Sequence, residues 1–158
     1  MKRRARWVLL AWLALVAPAR AADFSVNVGA LEVVLVPGGH GGFYPYLGGA
    51  VAVPLGEGFS FVGSLSLEWS FDQRRGGFVV VTTLDYALGA HVGVDLNVAF
   101  IHDQPGLRFA EADFFLGAGP GLSFFVGRVT LSPFLNFFGG LVTNSASVVP
   151  GLNVALTL

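Results

Sequence analysis

The sequence predicts an all-β chain folded as a closed, antiparallel, up-and-down transmembrane β-barrel of about eight strands. Three observations predict it. The chain is apolar, with 54% hydrophobic and only 12% charged residues. Beyond residue 21 it holds no apolar run of the eighteen or so residues that a membrane-spanning helix needs. Its apolar residues instead alternate with small or polar ones, the period that sends side chains to opposite faces of a strand. In a bilayer every backbone polar group must be satisfied internally, and a closed barrel is the other way to do it.

The first element is a leader. Lys2, Arg3, Arg4 and Arg6 form a basic start, and Trp7 to Val16 an apolar run too short to cross a membrane. Ala19-Arg20-Ala21 then supplies a small-x-small cleavage pattern. These features predict a secretory signal peptide over 1–21, cut after Ala21, and one mature domain over 22–158. The mature part keeps four basic residues, Arg74, Arg75, Arg108 and Arg128, and all ten acidic ones, a net charge of about −6. That balance argues against a nucleic-acid partner. The absence of Cys excludes disulfides and a lipid-anchoring cysteine.

Eight strands are expected at roughly 24–36, 43–54, 58–71, 77–87, 91–102, 108–126, 129–142 and 148–158. In the first, Glu32 lands on the apolar face, and a bulge after Ala30 would turn it inward. In the second, a three-residue turn to the third would set Tyr44 opposite Glu68. The third is the clearest. Phe59, Phe61, Leu65, Leu67, Trp69 and Phe71 share one face, and Ser60, Ser64, Ser66, Glu68, Ser70 and Asp72 the other. The fifth repeats it, with Val92, Val94, Leu96, Val98 and Phe100 against His91, Gly93, Asp95, Asn97 and Ala99. A three-residue loop after Ala87 would set Asp85 opposite Gly93. A two-residue Gly127-Arg128 turn would join the sixth and seventh strands, with Val126 facing Val129. That register sets Gly121, Gly119 and Gly117 opposite Phe134, Asn136 and Phe138, large groups over glycines. Pro120 interrupts this strand pattern and leaves open a bend or turn over 117–121.

The polar faces are mostly Ser, Gly and Ala, which suits a narrow, filled lumen better than a solvated exterior. The connectors alternate between Gly/Pro/Asn/Asp-rich loops and tight turns, and both termini fall at the turn end, expected to be periplasmic. Aromatic residues fall in two bands. Phe24, Phe59, Phe61, Tyr86, Phe124 and Phe125 lie near the turns. Phe43, Trp69, Phe71, Phe78, Phe100, Phe109, Phe137 and Phe138 lie near the loops, and Phe114 nearer mid-strand.

With these segments, the GAGPGL stretch at 117–122 and a last strand with apolar Leu152, Val154, Leu156 and Leu158 at alternate positions, the mature chain resembles the small eight-stranded outer-membrane β-barrels, the OmpA-like transmembrane domain and OmpX-like proteins. That family ends its last strand in an aromatic, most often Phe, where this chain has Leu158. The resemblance implies export to the bacterial outer membrane and insertion by the barrel assembly machinery. It also implies contact with outer-membrane lipids and lipopolysaccharide.

The expected lumen network is Tyr44, Glu68, Asp85, His91, Asp95, Asn97, Glu111, Asp113 and Asn136, with Tyr46 and Asp72 beside it. It reads as a polar plug rather than a catalytic or cofactor site, and no metal site is expected. His91 and Asp95 lie about 13 Å apart along their strand, too far for a dyad. A lipid-A deacylase of this architecture carries a His-x-Ser pair on one strand face. The residues two after the histidines here are Gly42, Gly93 and Gln104. Arg74 and Arg75, in an outer loop, could meet lipopolysaccharide phosphates. The sequence therefore predicts a monomeric, non-enzymatic barrel with a structural or envelope-integrity role. A narrow conduit for small or apolar solutes and a soluble lipocalin-like ligand-binding barrel stand as alternatives.

Overall fold

The computed structural model of the chain describes residues 22–36, 40–105, 113–142 and 145–158. The leader read at 1–21, Phe109 and Glu111 lie outside them. Eight strands follow in chain order: β1 (Asp23–Val36), β2 (His40–Gly56), β3 (Phe59–Ser70), β4 (Arg75–Ala87), β5 (Val92–Pro105), β6 (Asp113–Val126), β7 (Val129–Gly140) and β8 (Ala146–Thr157). Each pairs antiparallel with the next, and β8 returns to β1 to close the barrel.

The period-two pattern sets the two faces of the wall. On β3, Leu65 and Leu67 are 57% and 70% exposed, whereas the intervening Ser66 and the next residue, Glu68, are about nineteen-twentieths buried. The exposed face is thus the oily one, the reverse of a water-soluble barrel. Outward rings gather at both ends. Phe59 packs on Tyr86 at 4.5 Å near the turns. Near the loops Phe78 stacks on His102 at 4.8 Å, and Phe114 meets His102 edge-on at 5.1 Å. Phe114 therefore belongs to the loop-end band rather than mid-strand. Two rings expected in the bands face inward instead: Phe125 lines the lumen and Phe138 is part of its core.

The prolines do not break the wall. Pro120 sits inside β6 opposite Leu96 of β5, and the β6–β7 pairing lapses between Ala118 and Gly121. Pro133 sits opposite Leu152 of β8, and the same ladder lapses again between Gly121 and Phe124. Both missing amide donors thus fall in one ladder, and no turn forms at 117–121.

The turn at Gly127-Arg128 has the expected form. Gly127 takes φ +62°, Arg128 does not take positive φ, and Val126 pairs with Val129. The other two connections depart from expectation, the one after β4 by a longer turn and the one after β2 by a bulge, each shifting its register by two residues. Ala87 pairs with Gly93 and Asp85 with Asp95, rather than Asp85 with Gly93. Tyr46, not Tyr44, stands opposite Glu68, because a bulge between Pro54 and Gly56 lengthens the β2–β3 connection. Glu32 also departs from expectation. The β1 bulge lies between Val33 and Val34, after Glu32, so the carboxylate stays on the outer face opposite Phe43.

Close approach demands glycine at 119. A Cβ there would collide with the Leu135 carbonyl oxygen on β7. Gly119→Ala is expected to cost about 1–3 kcal/mol through overpacking. A urea titration of the reconstituted barrel checks it, and Gly119→Leu should leave no compact band on an unboiled gel.

Candidate functional site

The lumen has three levels. At the loop end lies a charged cap. Arg75 of β4 donates from Nε to Asp103 Oδ2 of β5 at 2.6 Å. Both side chains are partly buried, so solvent screens the pair less than on an open surface. Ser70, wholly buried, donates to Asp72 just beyond β3. Tyr44 is buried in the same cap, within electrostatic reach of Glu68, Asp103 and Arg75. No cap bond joins Tyr46 to its opposite number Glu68. The Tyr46 ring lies over Gly29 of β1, and its hydroxyl donates to the Leu152 carbonyl at 3.3 Å and Asn153 Oδ1 at 3.2 Å on β8.

Below the cap an apolar septum crosses the barrel. Leu31, Val79, Ala99, Ile101, Phe138 and Val149 form its buried centre, with Phe115 and Phe134 packed against it. The rings fit because glycines leave room beneath them. Phe138 lies on Gly117, as expected, whereas Phe134 turns away from Gly121 and lies on Gly151 of β8. Asn136, also buried, reaches over Gly119.

Below the septum the lumen opens into a cup of about 360 Å³ whose mouth is at the turn end, beside Asp23, Gly127 and Thr157. Two carboxylates face each other across β4 and β5. Asp85 Oδ2 accepts from Ser60 Oγ at 3.2 Å, and Asp95 Oδ2 accepts from Ser123 Oγ at 2.7 Å. Thr83 Oγ1 donates to Asn97 Oδ1 at 2.7 Å one level deeper. Gly121, vacated by Phe134, faces Asp95 and Asn97 and gives their side chains space. Among the described residues no Lys, Arg or His lines the cup.

The nine residues expected to form one network thus divide. Tyr44 and Glu68 belong to the cap, Asn136 to the septum, and Asp85, Asp95 and Asn97 to the cup. His91 leaves the lumen altogether. It is exposed in the connection after β4, with its ring Nδ1 3.3 Å from the Phe125 carbonyl oxygen. The longer turn puts it there. Asp113 pairs in register with Asp103, its side chain lying outside the described residues with Glu111. Arg74 is exposed in the turn after β3 at φ +53°, while its neighbour Arg75 is held by Asp103.

Sequence reasoning put Phe115, Phe134 and Phe138 in the lumen but missed the aliphatic part of the septum and the facing of Asp85 with Asp95. The septum had a signal. Leu31, Val79, Ile101 and Val149 are large apolar residues at inward positions otherwise held by Ser, Asn, Gly and Ala.

No protein-family model and no curated protein matches the chain. Solved structures do resemble it. Neisserial surface protein A, 14% identical, superposes with a TM-score of 0.58 over 88% of this chain and all of that one. The attachment invasion locus protein of Yersinia pestis, 10% identical, gives 0.56 over 87% of this chain and 97% of that one. A structure from the de novo design of transmembrane β-barrels, 10% identical, gives 0.50 over 84% of this chain and 95% of that one. At such identities the likeness is one of fold.

Proposed function

We propose that this chain, which has the fold of the small eight-stranded outer-membrane barrels, is a non-enzymatic outer-membrane protein with a structural or envelope-integrity role. The observation that carries this reading is the inverted wall, apolar outside and polar or small inside. A lipocalin-like barrel in water would need the opposite faces. The apolar septum argues against a through conduit, since Phe134, Phe138, Ile101 and Val149 fill the cross-section between cup and cap.

In this reading the turn end faces the periplasm, and the charged cap faces outward. Outer-membrane lipids surround the belt, and the barrel assembly machinery inserts it. The exposed Arg74 guanidinium is then free to meet lipopolysaccharide phosphates, with Arg75 turned to its acid.

Fractionation tests the reading. The expected result is a band in the outer-membrane fraction that runs faster unboiled than boiled, as a closed detergent-resistant barrel does. A soluble band with no shift on boiling would overturn it.

A further inference from the structure

The cup has a chemistry that a merely filled barrel does not need. Asp95 is only 9% exposed, and it lines the cup. Its Oδ2 takes the Ser123 hydroxyl, but its Oδ1 receives no donor among the described residues. The same holds for Asp85, whose Oδ2 takes Ser60 and whose Oδ1 is left over. The groups facing them are acceptors or neutral: Gly93 and the Phe125 ring beside Asp85, Gly121 and Asn97 beside Asp95. Asp85 and Asp95 lie within hydrogen-bonding reach of each other and can share one proton in the empty cup, which leaves one buried negative charge there for a positive partner from outside the chain to meet.

The shape restricts that partner. From Thr157 at the mouth to Val149 at the floor is eight residues of β8, about 26 Å along the strand. A volume of about 360 Å³ spread over that length makes a long, narrow cup that suits an extended chain. The wall changes character with depth. Ser60, Asp85, Asp95 and Ser123 lie toward the mouth, then Val81 and Ala99, then the septum. Four residues separate Asp95 from Ala99, about 13 Å along β5. A metal ion fits poorly. Among the described residues no three potential ligands converge, and hard cations want six or more oxygens.

We propose that the turn-end cup is a binding site for a small organic cation with an unbranched apolar tail, its ammonium held between Asp85 and Asp95 and its tail against Val81, Ala99 and the septum. Entry is from the mouth beside Asp23, whose carboxylate draws cations toward the opening. The site depends on the cup's geometry and not on which compartment the mouth faces.

Calorimetric titration with n-hexylammonium tests the proposal, using barrel extracted from membranes and reconstituted in nanodiscs, with empty nanodiscs as blank. The expected result is saturable one-to-one binding, with n-hexanol at least about tenfold weaker and n-hexanoate absent. Asp95→Asn keeps an oxygen for Ser123 yet removes the charge, and should weaken binding at least about tenfold. Ser64→Leu fills the cup and should abolish binding with both acids in place. Heats equal to the blank, or n-hexanol binding as well as the amine, would overturn the proposal on the wild-type chain alone. So would a folded Asp95→Asn that binds undiminished. A chain recovered in the soluble fraction is titrated in buffer instead, so failure of the membrane reading leaves this test intact.

Discussion

Val98→Arg should lower the stability of the barrel in a bilayer by about 2–4 kcal/mol. Val98 is at the middle of β5, points outward, and is 46% exposed. Its cross-strand neighbours are Thr82 and Ala118, neither of which can pair with a guanidinium. At that depth the side chain is too far from either interface to reach water without distorting the membrane. In a barrel surrounded by water the same substitution at an exposed site would fall within about 0.5 kcal/mol of neutral. Urea titration of wild type and variant in liposomes measures the difference. A neutral result would mean that the oily face does not meet lipid, and the membrane reading would go with it.

Removing both Phe134 and Phe138 should convert a silent barrel into a conducting one. Wild-type protein in planar bilayers is expected to give no current steps, because the septum is apolar and packed. Each ring is seated on a glycine, so truncation leaves a void above it. Each single Phe→Ala change should cost up to about 3–5 kcal/mol in a urea titration. The double variant joins the cup to the loop-end cap, and water can then thread the barrel. Steps in the wild type would show that the septum opens. A folded, silent double variant would assign the seal to Leu31, Ile101 and Val149.

The strands were legible because alternation is a local property, and Phe59–Ser70 or Val92–Phe100 carries it without help from the rest of the chain. The facing of most strand residues was legible for the same reason, with Phe125 an exception. Exact register was not, and the cause is the period itself. A slip of two residues keeps every side chain on its proper face, so hydrophobic patterning cannot distinguish Ala87 opposite Gly93 from Ala87 opposite His91. Only the turn decides: at Gly127-Arg128 a two-residue turn without a bulge made the choice unique, whereas the equally short Glu57-Gly58 turn carries a bulge at Gly56 that the pattern does not announce. Where it did, Phe138 over Gly117 followed. Where it did not, two features of the site stayed hidden: the meeting of Asp85 with Asp95, and the release of Tyr46 from Glu68 toward β8. The path of a ring is a further step removed. Register put Phe134 beside Gly121, but its χ angles carry it to Gly151 on the other side, and that choice opens the space the acids use.

Seven of the eight ladders join strands that are neighbours along the chain; only β1 with β8 does not. Each hairpin can zip as soon as its two strands exist, at little loop-closure entropy. The last ladder must bring Ser25 to Thr157, nearly the whole chain apart, and its reward arrives only after that entropy is spent. It is also interrupted, the pairing lapsing between Leu31 and Val34 of β1 as they pass Gly151 and Val148. The ends therefore meet last. Until they meet, β1 and β8 each offer a bare edge that a second chain could take, so the rate of this single zippering step, more than the final stability, governs how much of the protein is lost to aggregation.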